Sequence, residues 1–92
     1  NGRNVTRPAE YQSMVEAARR QRADDERRAG RIASLTPREA QVLERLSEGD
    51  TASEIALADY VAVATVRSQI RSILRKLDVS SQLAAVAIYR DR

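Results

Sequence analysis

The chain has 92 residues, 42% hydrophobic and 32% charged, with a formal charge of +3, which is enough for one small domain and an appendage. It holds no His and no Cys, so the commonest general base, the thiol nucleophile and the soft metal ligands are all missing. No glycine-rich phosphate loop or Gly-Xaa-Ser-Xaa-Gly elbow occurs either, so no enzyme, no cofactor and no metal are expected.

Residues 1–33 read as a linker, helical from about 8 to 32. The opening Asn1-Gly2, without Met, reads as a fragment whose upstream part is absent. Pro8 suits a first helical turn, and Tyr11, Met14, Val15 and Ala18 recur at helical spacing. The stripe fails at Arg22 and Asp25, then resumes at Ala29 and Ile32, with Gly30 weakening the helix. With heptads this poor, a charged linker is preferred over a signalling or dimerising helix. No apolar run is long enough to cross a bilayer or to form a signal peptide. The missing cysteines fit a reducing interior, and a cytoplasmic protein with no membrane partner is expected.

The domain is expected over residues 34–90. Thr36 can cap a helix through its hydroxyl, Pro37 fits the first helical position, and Glu39 can complete a capping box. Val42, Leu43 and Leu46 make one apolar face, and Gly49 supplies a left-handed stop. A second box follows in Thr51-Ala52-Ser53-Glu54, with Ile55, Ala56 and Leu57 facing inward. That helix is short, because Asp59-Tyr60-Val61 ends it. As a bare cap Thr51 needs no ligand; as part of a helix-turn-helix, its free N–H groups would meet phosphate.

The next helix, about 63–77, decides the reading. Val66, Ile70, Ile73, Leu74 and Leu77 span an arc of roughly 100° at about 100° per residue. Arg67, Ser68, Arg71 and Arg75 cover another arc centred about 120° away. One face is core; the other offers three guanidinium forks and a hydroxyl. Residues 35–92 carry eight basic and eight acidic residues, net zero, while residues 1–34 carry eight and five, net +3. The neutral part is polarised: Glu39, Glu44, Glu48, Asp50, Glu54 and Asp59 precede the turn, and Arg67 to Lys76 hold four positive charges with no acid. A domain without net charge can still present a positive face to DNA. Fifteen of the sixteen basic residues are Arg, which suits phosphate and guanine recognition, although an Arg-rich proteome gives the same bias.

Leu35-Thr36-Pro37-Arg38-Glu39, Val42-Leu43, Gly49, Glu54-Ile55-Ala56, Thr65-Val66-Arg67 and Lys76-Leu77-Asp78-Val79 together resemble the LuxR/GerE-type helix-turn-helix domain. That domain is the C-terminal output unit of many bacterial response regulators and quorum-sensing activators. The resemblance covers about Leu35 to Tyr89. It implies an all-α fold: a four-helix LuxR/GerE-like domain, here preceded by an N-terminal linker helix. It also implies a sequence-specific transcription regulator that binds palindromic double-stranded DNA as a homodimer, with RNA polymerase as a further partner.

Carried over by position, the resemblance gives Arg67, Ser68 and Arg71 as base readers. Thr65, Arg75 and Lys76 become backbone contacts, with Thr36, Arg38, Thr51 and Ser53 as weaker phosphate candidates. Arg38 has the alternative of pairing with an acid inside the domain, and Glu39 and Glu54 look structural. The last helix, from Ser80 or Ser81 to Tyr89, would supply the dimer face through Gln82, Ala85 and Tyr89, leaving Leu83, Val86 and Ala87 to the core. Four positions depart from the family pattern. Asp59 stands where a Leu is usually buried, so Tyr60 is expected to fill the gap. Ala62 replaces the usual capping Ser or Thr, a loss of about 1 kcal/mol. Gln69 replaces a common His, and Asp78 replaces a Gly whose left-handed conformation Asp can adopt. Two other readings compete: a helical module docking an acidic protein partner, and a sigma-factor-like DNA-binding piece.

Overall fold

The computed structural model describes residues 3–92, with side chains from Glu10 onward; residues 1 and 2 of the expected linker lie outside the described residues. Five helices follow one another: α1 (Arg3–Ala33), α2 (Pro37–Ser47), α3 (Ala52–Asp59), α4 (Val63–Leu77) and α5 (Gln82–Arg90). No strand occurs among the described residues. The arm formed by α1 makes the molecule 72 × 21 × 19 Å. It begins at Arg3 rather than near Pro8.

Local chemistry sets most of the helix ends. Thr36 and Thr51 each accept a hydrogen bond at 3.1 Å from the backbone N–H three residues on. Glu39 and Glu54 return the bond to the backbone N–H of Thr36 and Thr51, at 2.9 and 2.8 Å. Both capping boxes are therefore complete, satisfying donors that a helix start otherwise leaves open. At the other ends, Asp50 N–H donates to Arg45 O and Val79 N–H to Leu74 O, at 3.1 and 3.0 Å. Gly49 (φ 98°) and Asp78 (φ 57°) are left-handed, as those stops require.

The turn between α3 and α4 is built differently from expectation. Tyr60, not a glycine, takes the left-handed position with φ 59°, and Val61 N–H closes the motif onto Ala56 O at 3.1 Å. Its ring fills no gap, being 95% exposed. Leu57, expected inward, is 80% exposed, because an eight-residue helix held by Ile55 and Ala56 turns position 57 away from the core.

The core joins Val42, Leu43 and Leu46 of α2, Ile55 and Ala56 of α3, Val66, Ile70, Ile73 and Leu77 of α4, and Ala85 of α5. Each large aliphatic side chain enclosed here contributes about 1.5–3 kcal/mol relative to exposure. Ile32 and Leu35 pack on the edge of this cluster, and Arg31 approaches Asp78 at 3.9 Å. The last turn of α1 is thereby fixed to the domain, while its outer part projects free.

Candidate nucleic-acid interface

Two sides of α4 do different work. Val66, Ile70, Ile73 and Leu77 are buried, while Thr65, Arg67, Ser68, Arg71 and Arg75 are exposed. The four large aliphatics anchor the helix so firmly that the guanidinium row can face solvent without loss of packing. A groove of about 520 Å³ runs beside this row, lined by Thr51, Ser53, Arg67, Arg71 and Gln82 among others. The α3 start and the arginines of α4, far apart in sequence, thus border one surface. The capping box leaves the Ala52 and Ser53 N–H groups open at this helix start, which with two arginines suits an anionic backbone.

A carboxylate of α2 fixes α4 from behind. Glu39, 7% exposed, accepts from Ser72 Oγ at 2.5 Å and from Lys76 Nζ at 2.7 Å. Burial works against its charge. The bonds from Lys76, Ser72 and the Thr36 backbone, with the Lys76 charge, outweigh burial and hold the carboxyl down at about 2, against an ordinary 4.5. Lys76, expected at the DNA backbone, is therefore already paired inside the domain. The reason is spacing: Ser72 and Lys76, one turn apart, both point toward α2 rather than along the arginine row.

Asp59 organises the other side. Its carboxylate accepts from Arg38 Nη1 at 2.6 Å and lies 3.4 Å from Arg45 Nη1, while Arg45 Nε donates to Asp50 at 2.8 Å. The Arg38 hydrogen bond, offset in part by desolvation and joined by the Arg38 and Arg45 charges, keeps Asp59 below the usual carboxylate range. The Asp50 hydrogen bond, again against desolvation, raises Arg45. Arg38 thus takes its alternative, an acid within the domain, instead of a free phosphate-facing position. The ladder from Asp59 through Arg45 to Asp50 has a sequence signal: Arg38 and Arg45 are seven residues apart on one face of α2, and Asp59 is polar at an inward position.

Other expected positions divide. Thr36 and Thr51 use their hydroxyls as caps while remaining exposed, and Ser53 is exposed beside the groove. Ala62 caps α4 with no side-chain bond. Gln69 is half-buried, and its Oε1 has no partner, so it stands apart from the exposed row.

The α5 assignment needs correcting. Ala85 is wholly buried, because α5 packs its small residue against α2, and it cannot meet a partner. Leu83, expected in the core, is 81% exposed, and Ala87 is exposed as well. Tyr89 is half-buried against the core with the Arg92 guanidinium stacked 3.8 Å from its ring centroid. Gln82 is exposed. A nine-residue helix with hydrophobic residues at seven positions, Leu83 to Tyr89, carries too little polar contrast for sequence to orient it.

This arrangement agrees with a direct match. The profile of the GerE family, bacterial regulatory proteins of the luxR family, matches residues 33–89, well over half the chain. The chain belongs to the luxR family. Its luxR-type region is a helix-turn-helix DNA-binding domain of the kind found in transcription regulators. The transcriptional regulatory protein LiaR of Bacillus subtilis is 42% identical over 59 residues, covering 64% of this chain and 28% of LiaR. The nitrate/nitrite response regulator protein NarP of Escherichia coli is 40% identical over 55 residues, 60% of this chain and 26% of NarP. A quorum sensing-dependent transcriptional regulator, RpaR of Rhodopseudomonas palustris, is 40% identical over 53 residues, 58% of this chain and 22% of RpaR. The chain spans about a quarter of the length of these relatives. In luxR terms α3 and α4 are the helix-turn-helix pair, with α4 the recognition helix. No helix among the described residues is long and apolar enough to cross a membrane.

Proposed function

We propose that this chain is the DNA-reading output part of a cytoplasmic two-component response regulator that binds palindromic promoter DNA as two copies. The observation that carries this reading is the exposed row Arg67, Ser68, Arg71 and Arg75 on a helix whose opposite side is anchored in the core. In the major groove, Arg67 and Arg71 present bidentate forks to guanine O6 and N7, with Ser68 reading between them. Thr65 and Arg75 contact phosphate, joined by Thr51 and Ser53 across the groove and more weakly by Thr36. The two copies meet on DNA through α5, with Leu83 beside Gln82 in place of Ala85. RNA polymerase is the downstream partner in this reading.

The test is selection of binding sites from a random duplex pool, run in parallel with the Arg67→Ala/Arg71→Ala variant. The parent is expected to enrich a palindrome that the variant loses or changes. Enrichment of the same site by both proteins would move base reading off α4, and enrichment by neither would refute sequence-specific binding by this part.

A further inference from the structure

The projecting arm of α1 carries an apolar stripe whose outer part has no intramolecular partner and whose inner end, at Ile32, packs on the edge of the core. Tyr11 is 67% and Met14 70% exposed. Along the same face, Tyr11, Val15, Ala18, Arg22, Asp25, Ala29 and Ile32 step by four, three, four, three, four and three residues. That is the a/d seam of three heptads, interrupted at its centre by one basic and one acidic residue.

The interruption specifies its own partner. In an antiparallel pair of helices an a position packs against a d position of the other copy. With the two-fold axis between Ala23 and Asp24, Arg22 faces Asp25 of a second copy, Ala18 faces Ala29 and Val15 faces Ile32; symmetry makes every contact twice. Flanking the seam, Arg19 faces Glu26, again twice. A parallel pair would instead set Arg22 on Arg22 and Asp25 on Asp25, like charges that oppose association. Among the described residues Arg22 has no ion-pair partner. Asp25 receives Gln21 Nε2 at 3.0 Å and Arg28 Nη1 at 3.7 Å, both on Oδ1, which leaves Oδ2 for an arriving guanidinium.

A groove on the inner half of α1 has matching shape. Ala29 and Ile32, with Ile88 at the end of α5, form an apolar floor of a cavity of about 340 Å³ rimmed by Asp25, Arg28, Asp91 and Arg92. In the register above, Val15 of the second copy lands opposite Ile32, and Tyr11 follows one turn later. The outer half of one arm thus supplies the apolar side chains that the inner half of the other receives.

We propose that α1 is a self-association helix, on which a second copy of this chain packs antiparallel with Arg22 facing Asp25. The contact is independent of DNA and separate from α5.

The chain has no cysteine, so single-cysteine variants report orientation directly. Ala18→Cys and Ala29→Cys proteins, mixed and mildly oxidised without DNA, are expected to give the mixed 18–29 disulfide in excess of both homodimers. A predominance of the 18–18 and 29–29 products would overturn the proposal. In sedimentation equilibrium, Arg22→Asp is expected to raise the dimer dissociation constant at least about ten-fold, a change of roughly 1.4 kcal/mol. The Arg22→Asp/Asp25→Arg exchange should return it to within about two-fold, since the antiparallel pair is restored with signs reversed. A parent that sediments as a monomer, or an exchange variant no better than the single reversal, would overturn the antiparallel pair and leave the stripe to another occupant. Arg67→Ala/Arg71→Ala should self-associate like the parent, so a failure of DNA reading and a failure of pairing are read separately.

Discussion

Replacing Glu39 by Gln keeps the side chain's size and removes its charge from the joint between α2 and the recognition helix. The carboxylate accepts from Lys76, Ser72 and the Thr36 backbone; the amide retains one acceptor oxygen. A carboxyl held at about 2 instead of 4.5 corresponds by linkage to on the order of 3 kcal/mol of stability. The Glu39 side chain is only 9% exposed, so solvent screening erodes little of this, whereas Lys76 at 32% can turn to water once unpaired. We expect Glu39→Gln to cost about 2–3 kcal/mol at pH 7. For a domain of this size that lowers the melting temperature by roughly 10–20 °C. The sign of the pH dependence follows from the lowered folded-state value. The charge stabilises the fold above pH 4.5, and that contribution is lost as pH falls through about 2. Melts followed by circular dichroism from pH 7 to pH 2 should show the gap between parent and variant closing over that acid window. A gap that stays constant with pH would refute the argument, as would a variant that melts with the parent at pH 7.

Other substitutions separate roles on the recognition helix and at its start. Arg67→Ala should cost about 1–3 kcal/mol in DNA affinity and relax preference at one base position, whereas Arg75→Ala should weaken all sequences alike. Anisotropy titrations against matched and mutated sites distinguish them, and equal loss of affinity with no change in preference would erase the base-versus-phosphate division. Ala62→Ser gives α4 the side-chain cap it lacks and should add about 1 kcal/mol, visible as a melting temperature roughly 4–8 °C higher; no gain would mean those N–H groups are already satisfied. Tyr60→Gly relieves a left-handed residue whose ring is 95% exposed, for a gain of about 1 kcal/mol in chemical denaturation. A loss instead would show that the ring stabilises the turn.

What sequence reveals about this domain follows the range of the forces involved. The starts of α2 and α3 are legible because Thr36 with Glu39, and Thr51 with Glu54, interact across three residues whatever the tertiary fold. The α4 faces are legible because arginine and aliphatic side chains separate cleanly around a helix of fifteen residues. The face of α5 is not, since Leu83 and Ala85 differ little in polarity and only packing against α2 chooses between them. The same limit hides Tyr60, whose left-handed conformation is imposed by the chain's need to turn between two anchored helices. Asp59 is the instructive case: against the family pattern it reads as a defect, and its meaning becomes clear only when α2 brings Arg38 and Arg45 beside it.

Those internal pairs also change the electrostatics expected on DNA. Counted from sequence, Arg38, Arg75 and Lys76 offer three cations per copy to a phosphate backbone, beside the base-reading Arg67 and Arg71. Asp59 occupies Arg38 and Glu39 occupies Lys76, leaving Arg75. Each phosphate neutralised contributes roughly −0.9 to the slope of log affinity against log salt. One per copy gives about −0.9, and three would give about −2.7. Titration of DNA binding over a range of salt concentrations, divided by the number of bound copies, decides between them. A slope near the smaller value is expected if the ion pairs persist on DNA. A slope near the larger would mean that binding pulls Arg38 and Lys76 away from their acids, and Glu39→Gln, which leaves no Lys76 pair to break, should then raise DNA affinity while destabilising the free domain.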